Sequence, residues 1–513
     1  MIPMTLSRIA EIVGGTLHDV DDPSTVVTGS VEFDSRKVGS GGLFLALPGA
    51  RVDGHDHARA ATAAGAVAVL AARPVGVPAI VVPPVPTDGP SSVMLLEFDA
   101  DGSGAAVLHA LGLLARVAVD ELSSAGGLML VGVTGSAGKT STKDLIAALL
   151  RERGEVVAPP GSFNNELGLP WTVLRADDTT RFLVLEMSAR GVGHIAELTE
   201  IAPPRIGVVL NVGTAHLGEF GSRDAIATAK GELVEALPSA EDGGVAVLNV
   251  DDRMVAAMAT RTRARVVLVG QGEAADVRAT DVVVDDQARA SFTLVCSKGS
   301  ARIRLAVHGE HQVGNALAAA AVALESGLEV AEIAKVLEGT GAASARRMEV
   351  TERPDGVTVV NDSYNANPDS MRAALKALVS MARSDRHFGR RSWAVLGEMG
   401  ELGPESVVEH DAIGRLAVRL DVSKLIVVGE GRTSRAMHQG AVMEGSWGDE
   451  SVVVPDAAAA IAILEAELEP GDLVLVKASK SVELWTVADA LLTAKPDTVT
   501  PDPTETPDTE ASR

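Results

Sequence analysis

The chain has 513 residues, a formal net charge of −24 and only 3% aromatic residues. The negative charge argues against a nucleic-acid or anionic-membrane partner, because both would be repelled. A single cysteine, Cys296, excludes a disulfide framework and a cysteine-rich metal site. The length predicts about three domains of ordinary size. Since neither a signal segment nor an apolar run of membrane-spanning length is found, a cytosolic protein is expected.

The first predicted domain, residues 1–95, is a small α/β module without a triphosphate motif. Helices are predicted at residues 4–15 and 57–65, and strands at residues 26–33, 43–47, 67–70 and 79–82. Ser35 and Arg36 follow a strand and could hold a diphosphate, since arginine offers a fork of donors. From residue chemistry alone, an ordinary solvated turn is the favoured interpretation. A proline-rich stretch then predicts the domain boundary.

The second predicted domain, residues 96–342, contains the most specific motif of the chain. An apolar strand over residues 128–133 leads into Thr134-Gly-Ser-Ala-Gly-Lys-Thr140 and then into a helix. Gly135 and Gly138 allow a tight turn whose N–H groups can point at one anion. Lys139 supplies charge for the outer phosphates, and the Thr140 hydroxyl can hold Mg²⁺. This pattern predicts a nucleotide triphosphate site.

The spacing of this motif is shorter than usual. The standard pattern G-x-x-x-x-G-K-[ST] requires glycine at position 133, where this chain has Val133. An isolated glycine pair is more often a plain strand-to-helix turn. The Gly-Lys-Thr-Ser-Thr run that follows a six-residue apolar strand argues against that alternative.

Polar residues follow the next strands of this domain. Strands predicted at residues 182–185, 206–210, 245–248 and 265–269 alternate with helices, which favours a mostly parallel sheet with helices on both faces. Glu186 closes one strand and His216 lies beyond another, so both are expected near Thr140 and a magnesium ion. Glu186 is the stronger candidate because Mg²⁺ prefers oxygen ligands. A lone histidine is more often a helix cap or a core residue.

Other features of this domain are less specific. Lys230 lies on a helix predicted to begin near Ser222, and its ordinary interpretation is a solvated charge. Asn249 ends a strand and could meet a base or ribose. Irregular strand signals over residues 274–304 predict a meander, and an Ala-rich helix follows up to Ser326.

The third predicted domain, residues 343–494, shows a second alternation of apolar strands and helices, which predicts a Rossmann-like sheet. Polar loops over residues 361–371, 397–403 and 477–480 follow its strands, and the first contains Tyr364, the only tyrosine. Turns and helix caps would explain about half of these residues. The Pro/Thr/Asp/Glu-rich stretch from Pro496 onward predicts a disordered tail, so residues 495–513 are assigned to it.

Taken together, these segments resemble the Mur ligase family, the ATP-dependent amide-forming enzymes of peptidoglycan precursor synthesis, over residues 1 to about 490. The resemblance rests on the short phosphate loop, Glu186, Asn211–His216 and Lys230-Gly-Glu232. It implies Thr140, Glu186 and His216 as Mg²⁺ residues, Lys230 as a carbamylated lysine, and a catalytic set of Lys139, Glu186, His216 and Lys230. The implied ATP-binding residues are Gly135, Ser136, Ala137, Gly138, Lys139, Thr140, Ser141, Asn249, His311, Asn315 and Arg347.

Three segments, residues 362–371, 162–170 and 395–403, are similar to the family member that joins D-Ala-D-Ala to UDP-MurNAc-tripeptide. The chain lacks the Asp-Asn-Pro-Arg segment expected of the member that adds diaminopimelate or lysine. Departures at Asn361, residues 187–190 and residues 477–480 affect only detailed contacts. The implied substrate-binding residues are Ser35, Arg36, Asn164, Asn165, Asp362, Tyr364, Asn365 and Asn367.

The resemblance implies an acyl phosphate formed from the tripeptide carboxylate and ATP, which the dipeptide amine then attacks. A monomer is expected, and the third domain is expected to close over this water-sensitive intermediate. The alternatives are the diaminopimelate- or lysine-adding ligase, a P-loop kinase acting on a hydroxyl, and a non-catalytic nucleotide switch. The identity of the tripeptide's third residue stays open.

Overall fold

The computed structural model describes residues 1–49, 52–85, 99, 101–383, 389–445, 448 and 450–493. The predicted boundary between residues 95 and 96 and the predicted tail from residue 495 lie outside these ranges. Three principal sheets, each with its own helices, confirm the predicted α/β class with three domains.

The first sheet has five described strands in the order β2-β7-β6-β5-β4, with β1 and β3 pairing separately. Its elements are β1 Met4–Thr5, α1 Leu6–Val13, β2 Thr16–His18, β3 Val26–Val27, β4 Val31–Glu32, β5 Gly42–Leu45, α2 Ala58–Ala64, β6 Ala66–Ala71 and β7 Ala79–Val81. The prediction of one strand over residues 26–33 was wrong. The Thr28 and Gly29 amides donate to the Gly41 carbonyl, which breaks the strand in two. Strand β2 was not predicted.

The central sheet contains nine described strands in the order β16-β15-β14-β13-β12-β11-β8-β10-β9. From β9 at one edge to β14, all neighbouring strands are parallel. At the other edge, β14, β15 and β16 form the predicted antiparallel meander. The strands are β8 Met129–Thr134, β9 Glu155–Val157, β10 Thr180–Glu186, β11 Ile206–Val209, β12 Val245–Asn249, β13 Arg265–Gly270, β14 Val277–Val284, β15 Arg289–Cys296 and β16 Gly299–His308.

The helices of the central domain cover this sheet. They are α3 Ser103–Ser124, α4 Lys139–Leu150, α5 Gly168–Val173, α6 His194–Ile201, α7 Leu217–Phe220, α8 Arg223–Glu235, α9 Arg253–Ala256, α10 Gln312–Glu325 and α11 Val330–Gly339. The alanines of α10 are buried against one sheet face, together with Ile146 and Leu149 of α4. Small side chains allow this close packing, so the aromatic-poor core is built from Val, Leu, Ile and Ala, as the composition predicts.

The third sheet has six strands in the described part of the chain, in the order β17-β18-β22-β19-β20-β21. All neighbours are parallel except β17 and β18. The elements are β17 Glu349–Glu352, β18 Thr358–Asn361, α12 Pro368–Ala382, β19 Ser392–Leu396, α13 Ser406–Arg419, β20 Lys424–Val428, α14 Arg432–Glu444, β21 Ser451–Val454, α15 Ala457–Glu467, β22 Leu473–Lys477 and α16 Trp485–Thr493.

Aromatic packing joins the first and central domains. The Trp171 ring lies 4.6 Å from that of Phe163 and 5.9 Å from that of Phe33 between centroids. The Trp171 indole N–H donates to the Val31 carbonyl at 2.9 Å, which satisfies the polar edge of a buried ring. No helix within the described ranges has the length and apolar character needed to cross a bilayer.

Candidate active site

The phosphate loop follows β8, the strand from which the strand order proceeds in opposite directions toward the two edges of the central sheet. Strand β8 has β10 on one side and β11 on the other, and all three are parallel. Ligands of such sheets bind outside the carboxyl ends of the strands at this point. Gly138 begins α4 with φ of +85°, and an added Cβ would lie 2.5 Å from Asn315 Oδ1. Only glycine suits this position.

The loop is braced by the segment that follows β11. Asn211 exchanges two hydrogen bonds with Ala137: its Oδ1 accepts from the amide at 2.9 Å and its Nδ2 donates to the carbonyl at 3.1 Å. The Gly213 amide donates to Ser136 Oγ at 2.9 Å. These contacts fix the conformation of the loop through protein groups.

Lys139 and Thr140 lie at the start of α4. Lys139 Nζ donates to the Gly135 carbonyl at 2.6 Å. Burial lowers the pKa of Lys139, Glu186 opposes that effect, and Arg347 adds to it. The Thr140 hydroxyl accepts from Arg347 Nη2 at 3.1 Å. A partly buried ammonium group beside the loop is suited to the outer phosphates of a nucleotide.

Glu186 ends β10 and is fully buried. Its Oε2 accepts from Ser162 Oγ at 3.1 Å and from Asn164 Nδ2 at 3.3 Å. Its Oε1 is buried and has no hydrogen-bond partner among the described residues. A buried carboxylate oxygen without a partner is costly unless a cation is bound. The oxygen donors of Glu186 and Thr140 therefore fit a hard ion such as Mg²⁺.

His216 precedes the short helix α7 with a left-handed backbone, φ +60°. Its Nδ1 lies 2.7 Å from Glu401 Oε2 and 3.5 Å from Glu219 Oε2. Burial lowers the pKa of His216, but the two carboxylates outweigh burial, so the net shift is upward. Ligand atoms of the three residues lie within 4.8 Å of one another. His216 is the N-cap residue of α7, so the helix-cap alternative is right for its backbone, whereas its ring makes no capping hydrogen bond and faces the two carboxylates.

Lys230 is buried on α8, with 3% of its surface exposed, so the interpretation as a solvated charge was wrong. The helix itself begins after Ser222, as predicted. Burial lowers the pKa of Lys230 well below its ordinary value, and the charge of Lys139 lowers it further. Burial therefore shifts the protonation equilibrium of Lys230 toward the neutral amine.

The loops of the third sheet contact the phosphate loop. Asn367 Nδ2 in one of these loops donates to the Ser136 carbonyl at 3.4 Å. In the same loop, the Tyr364 ring has its centroid 4.1 Å from Cζ of Arg347. The Thr214 amide donates to Asp369 Oδ2 at 3.2 Å. These bonds place the third domain directly over the nucleotide site.

A buried ion pair shapes the Tyr364 loop. Lys477 Nζ donates to Asp362 Oδ2 at 2.7 Å and to the Asn365 carbonyl at 2.9 Å. Burial lowers the pKa of Lys477, although Asp362 opposes that shift. Asn361 is also buried, and its side-chain oxygen accepts from the Ser363 hydroxyl at 2.6 Å. Asn361, one of the departures from the family pattern, and Lys477 are thus both buried beneath the loop.

These loops enclose a cavity of about 1020 Å³. Most of the predicted site residues line it, namely Ser136, Ala137, Gly138, Lys139, Thr140, Ser141, Asn164, Asn165, His216, His311, Asn315, Arg347, Asp362, Tyr364, Asn365 and Asn367. Among the described residues, the predicted ones that do not line it are Ser35, Arg36, Gly135, Glu186, Lys230 and Asn249. Glu186 still reaches its wall through Ser162 and Asn164.

Two predicted positions are separated from the cavity. Asn249 Nδ2 donates to the Leu210 carbonyl at 2.9 Å, so its amide links two strand ends. Arg36 has 87% of its side chain exposed and pairs with Asp34, holding the pKa of that carboxyl at about 2. Arg36 thus lies in the solvated turn that residue chemistry favoured.

Several residues at or near the cavity were not predicted, and two of them, Glu401 and Lys143, show why. Glu401 lies in the quoted 397–403 loop, but nothing in the sequence showed that it reaches His216. Lys143 is 1% exposed, and its Nζ donates to the Pro159 carbonyl at 2.6 Å. It supports the loop that carries Ser162 and Asn164. The sequence signal for Lys143 is its position four residues after Lys139, because residues with this spacing lie on the same face of a helix.

Family models match three parts of the chain. They are the Mur ligase family, catalytic domain, at residues 29–97, the Mur ligase middle domain at residues 133–323, and the Mur ligase, glutamate ligase domain, at residues 346–480. A Mycobacterium leprae protein named UDP-N-acetylmuramoyl-tripeptide--D-alanyl-D-alanine ligase is 60% identical over 514 residues, covering 96% of this chain and 99% of that protein.

Solved structures agree with this relationship. A crystal structure of MurF from Acinetobacter baumannii has a TM-score of 0.79 at 29% identity and covers 96% of this chain and 99% of that one. MurF ligase from Thermotoga maritima, crystallised with ADP, has a TM-score of 0.70 at 28% identity, covering 90% of this chain and 97% of that one.

The phosphate loop, the enclosed cavity and the facing third sheet define an ATP-dependent ligase. The chain belongs to the Mur ligase family.

Proposed function

We propose that this ligase joins D-Ala-D-Ala to the terminal carboxylate of UDP-MurNAc-tripeptide, with release of ADP and phosphate, in peptidoglycan precursor synthesis. The name of the Mycobacterium leprae relative describes this reaction. The proposal rests on the contact between the phosphate loop and the loops of the third domain. Arg347 donates a hydrogen bond to the Thr140 hydroxyl, and Asn367 donates one to the Ser136 carbonyl. A reaction between a triphosphate and two further substrates requires such a junction.

The chemistry begins with a carboxylate approaching a triphosphate, anion against anion. The loop N–H groups, Lys139 and Arg347 offset this repulsion at the γ-phosphate, where negative charge develops. We assign Mg²⁺ to Thr140, Glu186 and His216, where the ion would neutralise phosphate charge. The tripeptide carboxylate takes the γ-phosphoryl group to give an acyl phosphate and ADP. The dipeptide amine then attacks the acyl carbon, and phosphate leaves.

Lys230 is assigned the role of a carbamate. Its lowered pKa favours the neutral amine, which is the form that adds CO₂ and loses a proton to give an anionic carbamate. That change would replace the amine near Lys139 with an anion whose oxygen atoms are of the kind Mg²⁺ prefers. Mass spectrometry or ¹³C NMR in ¹³C-bicarbonate should detect the carbamate in the native chain and lose it in Lys230→Met.

The remaining assignments follow the positions of the residues around the cavity. The loop Ser136–Ser141 with His311, Asn315 and Arg347 is assigned to ATP, and Asn249 stays a prediction for the nucleoside end. Asn164 and Asn165 are assigned to the tripeptide. Ser35 and Arg36, at a distance from the cavity, are assigned to the UDP end of that long substrate. The dipeptide is assigned to Asp362, Tyr364, Asn365 and Asn367.

We also propose three domains, at residues 1–95, 96–342 and 343–494, followed by a tail from residue 495. The protein is proposed to be a monomer and to lie in the cytoplasm, where ATP is available. Size-exclusion chromatography with light scattering tests the oligomeric state. A mass near twice 52.8 kDa would contradict a monomer.

Phosphate release with ATP, UDP-MurNAc-tripeptide and D-Ala-D-Ala, omitting each in turn, tests the reaction. Release should require all three substrates. Release without the dipeptide would overturn the ligation, and a product that retains phosphate would indicate a kinase. Lys139→Ala should abolish turnover with an unchanged circular dichroism spectrum, whereas Lys335→Ala, at an exposed lysine of α11, should keep it.

A further inference from the structure

The loop of residues 397–403, here named the Glu401 loop, belongs to the third domain but contacts a residue of the second. Glu401 places one carboxylate oxygen 2.7 Å from His216 Nδ1 and the other 2.8 Å from Arg190 Nη2. The Gly218 amide also donates to the Glu401 carbonyl at 3.2 Å. One residue of the third domain thus joins two side chains and one backbone group of the second.

The Glu401 loop is held firmly by its own domain. The Met399 amide donates to the ring Nε2 of buried His410 at 2.9 Å, and His410 Nδ1 donates to the Ser406 carbonyl. The Gly400 amide donates to Ser479 Oγ at 2.7 Å. Because these bonds fix the loop within the third domain, Glu401 moves with that domain and not with His216.

The two domains also fit closely at this point. A Cβ added to Gly218 would lie 2.4 Å from the Gly403 amide nitrogen, so two glycines allow the backbones to touch. His216, two residues earlier, has the uncommon left-handed backbone noted above. Left-handed conformations of residues other than glycine persist where surrounding contacts enforce them. The interdomain contact is therefore built around the position of His216.

We propose that Glu401 is a positioning residue that orients His216 for the metal only when the third domain is docked. The inference rests on the proposed function, which assigns His216 to Mg²⁺. Glu401 Oε2 lies 2.7 Å from His216 Nδ1, and this contact with the Nδ1 side of the ring would restrict its orientation and leave Nε2 as the nitrogen available to a metal. Carboxylates that accept from the second nitrogen of a metal-binding histidine set its tautomer and raise its basicity.

Thermodynamic linkage makes this coupling reciprocal. If docking of the third domain strengthens metal binding through Glu401, the metal must favour docking by the same factor. Mg²⁺ with ADP should therefore compact the native chain more than ADP alone. This coupling would assemble the phosphate-activating groups only in the closed arrangement, which excludes water from the acyl phosphate.

The test measures ADP binding by calorimetry across a Mg²⁺ series, with small-angle scattering at each concentration. Glu401→Ala should raise the half-saturating Mg²⁺ concentration about 10-fold or more. It should also remove the Mg²⁺-dependent part of the compaction. Glu401→Gln retains an acceptor for Nδ1–H and should recover much of both effects. High Mg²⁺ should restore turnover of Glu401→Ala.

Glu219→Ala is the matched comparison, because Glu219 also faces His216 Nδ1, at 3.5 Å, but belongs to the same domain. It should leave Mg²⁺-dependent compaction in place. Glu405→Gln, an exposed carboxylate in the same third-domain turn, should behave as the native chain. An equal effect of Glu219→Ala and Glu401→Ala would overturn the interdomain role, as would unchanged compaction in Glu401→Ala.

A further variant separates this inference from the function on which it rests. His216→Ala should raise the Mg²⁺ requirement of ADP binding. If it does not, the assignment of His216 to the metal fails, and the inference fails with it. If His216→Ala raises the requirement and Glu401→Ala does not, the inference alone is wrong.

Discussion

Arg347, which precedes the first strand of the third sheet, donates from Nη2 to the hydroxyl of Thr140 on the nucleotide-binding helix. Its guanidinium also stacks on Tyr364, with Cζ 4.1 Å from the ring centroid. The hydroxyl assigned to Mg²⁺ and the ring assigned to the dipeptide are thus joined by one cation. The planar guanidinium group of Arg347 therefore lies between the proposed phosphate site and the proposed dipeptide site.

Substitution of Arg347 tests that position. Arg347→Ala should lower kcat by about 10²–10³-fold, because a preorganised donor to developing charge is lost. Arg347→Lys should recover only part of the rate, since lysine keeps the charge without the planar fork. Phosphate-release kinetics measure both. A native rate for Arg347→Ala would show that the guanidinium only joins the domains.

Gly138 in the phosphate loop and Gly314 on α10 are a matched pair of glycines, one with a left-handed backbone and one in a regular helix. Gly138→Ala places a Cβ on a backbone of φ +85° and 2.5 Å from Asn315 Oδ1. Left-handed strain of about 1–2 kcal/mol corresponds to about tenfold weaker ADP binding by calorimetry. In Gly314→Ala, on α10, the new Cβ would have no described atom within 4 Å apart from its chain neighbours and the backbone of its own helix. That variant should raise the free energy of unfolding by about 0.5–1 kcal/mol.

Lys143 should be a stability residue as well as a support for the substrate loop. Its ammonium group lies 2.7 Å from Asp144 Oδ1 and donates to the Pro159 carbonyl. Lys143→Met leaves that carboxylate and carbonyl without their cation, so it should lower the free energy of unfolding by about 3–5 kcal/mol. Arg151→Met, at the exposed end of the same helix, is the control and should change it by about 0.5 kcal/mol or less. Urea unfolding distinguishes them.

Lys230 makes the stability of the chain depend on pH in a defined direction. Its folded pKa lies below the unfolded value of 10.5, so the unfolded state binds more protons between the two. The contribution of Lys230 to stability therefore rises with pH through that window and is lowest on the acid side. In CO₂-free buffer, Lys230→Met should be more stable than the native chain at pH 6, and the difference should shrink by pH 9. A pH-independent difference, measured by urea unfolding, would contradict a neutral buried amine.

The fold was largely predictable because the apolar strands are long and regular. Strand β8 and the motif after it carry local signals, and all three sheets follow from the alternation of elements. The single strand expected at residues 26–33 failed because pairing of Gly29 with the Gly41 turn is a tertiary event. Local patterns contain no information about such a pairing.

Predictions for the site succeeded where the residue type itself specifies the chemistry. Glycines, a lysine and a threonine in one short motif indicate phosphate wherever they occur after a strand. Lys230 was misjudged because its burial depends on how α8 packs, which its neighbours in sequence do not reveal. Glu401 was missed because it acts across a domain interface, more than 180 residues after His216. Asn249 was placed at a strand end correctly, yet its amide turns toward the Leu210 carbonyl.

The aromatic contact between the first and central domains has a consequence for the candidate active site. Phe163, whose ring packs on Trp171, is covalently adjacent to Asn164, whose side chain donates to Glu186. Phe163 therefore contacts the first domain through its ring and the Glu186 carboxylate through its neighbour in the chain. The packing between the first two domains thus ends one peptide bond away from a side chain that holds a buried acidic group.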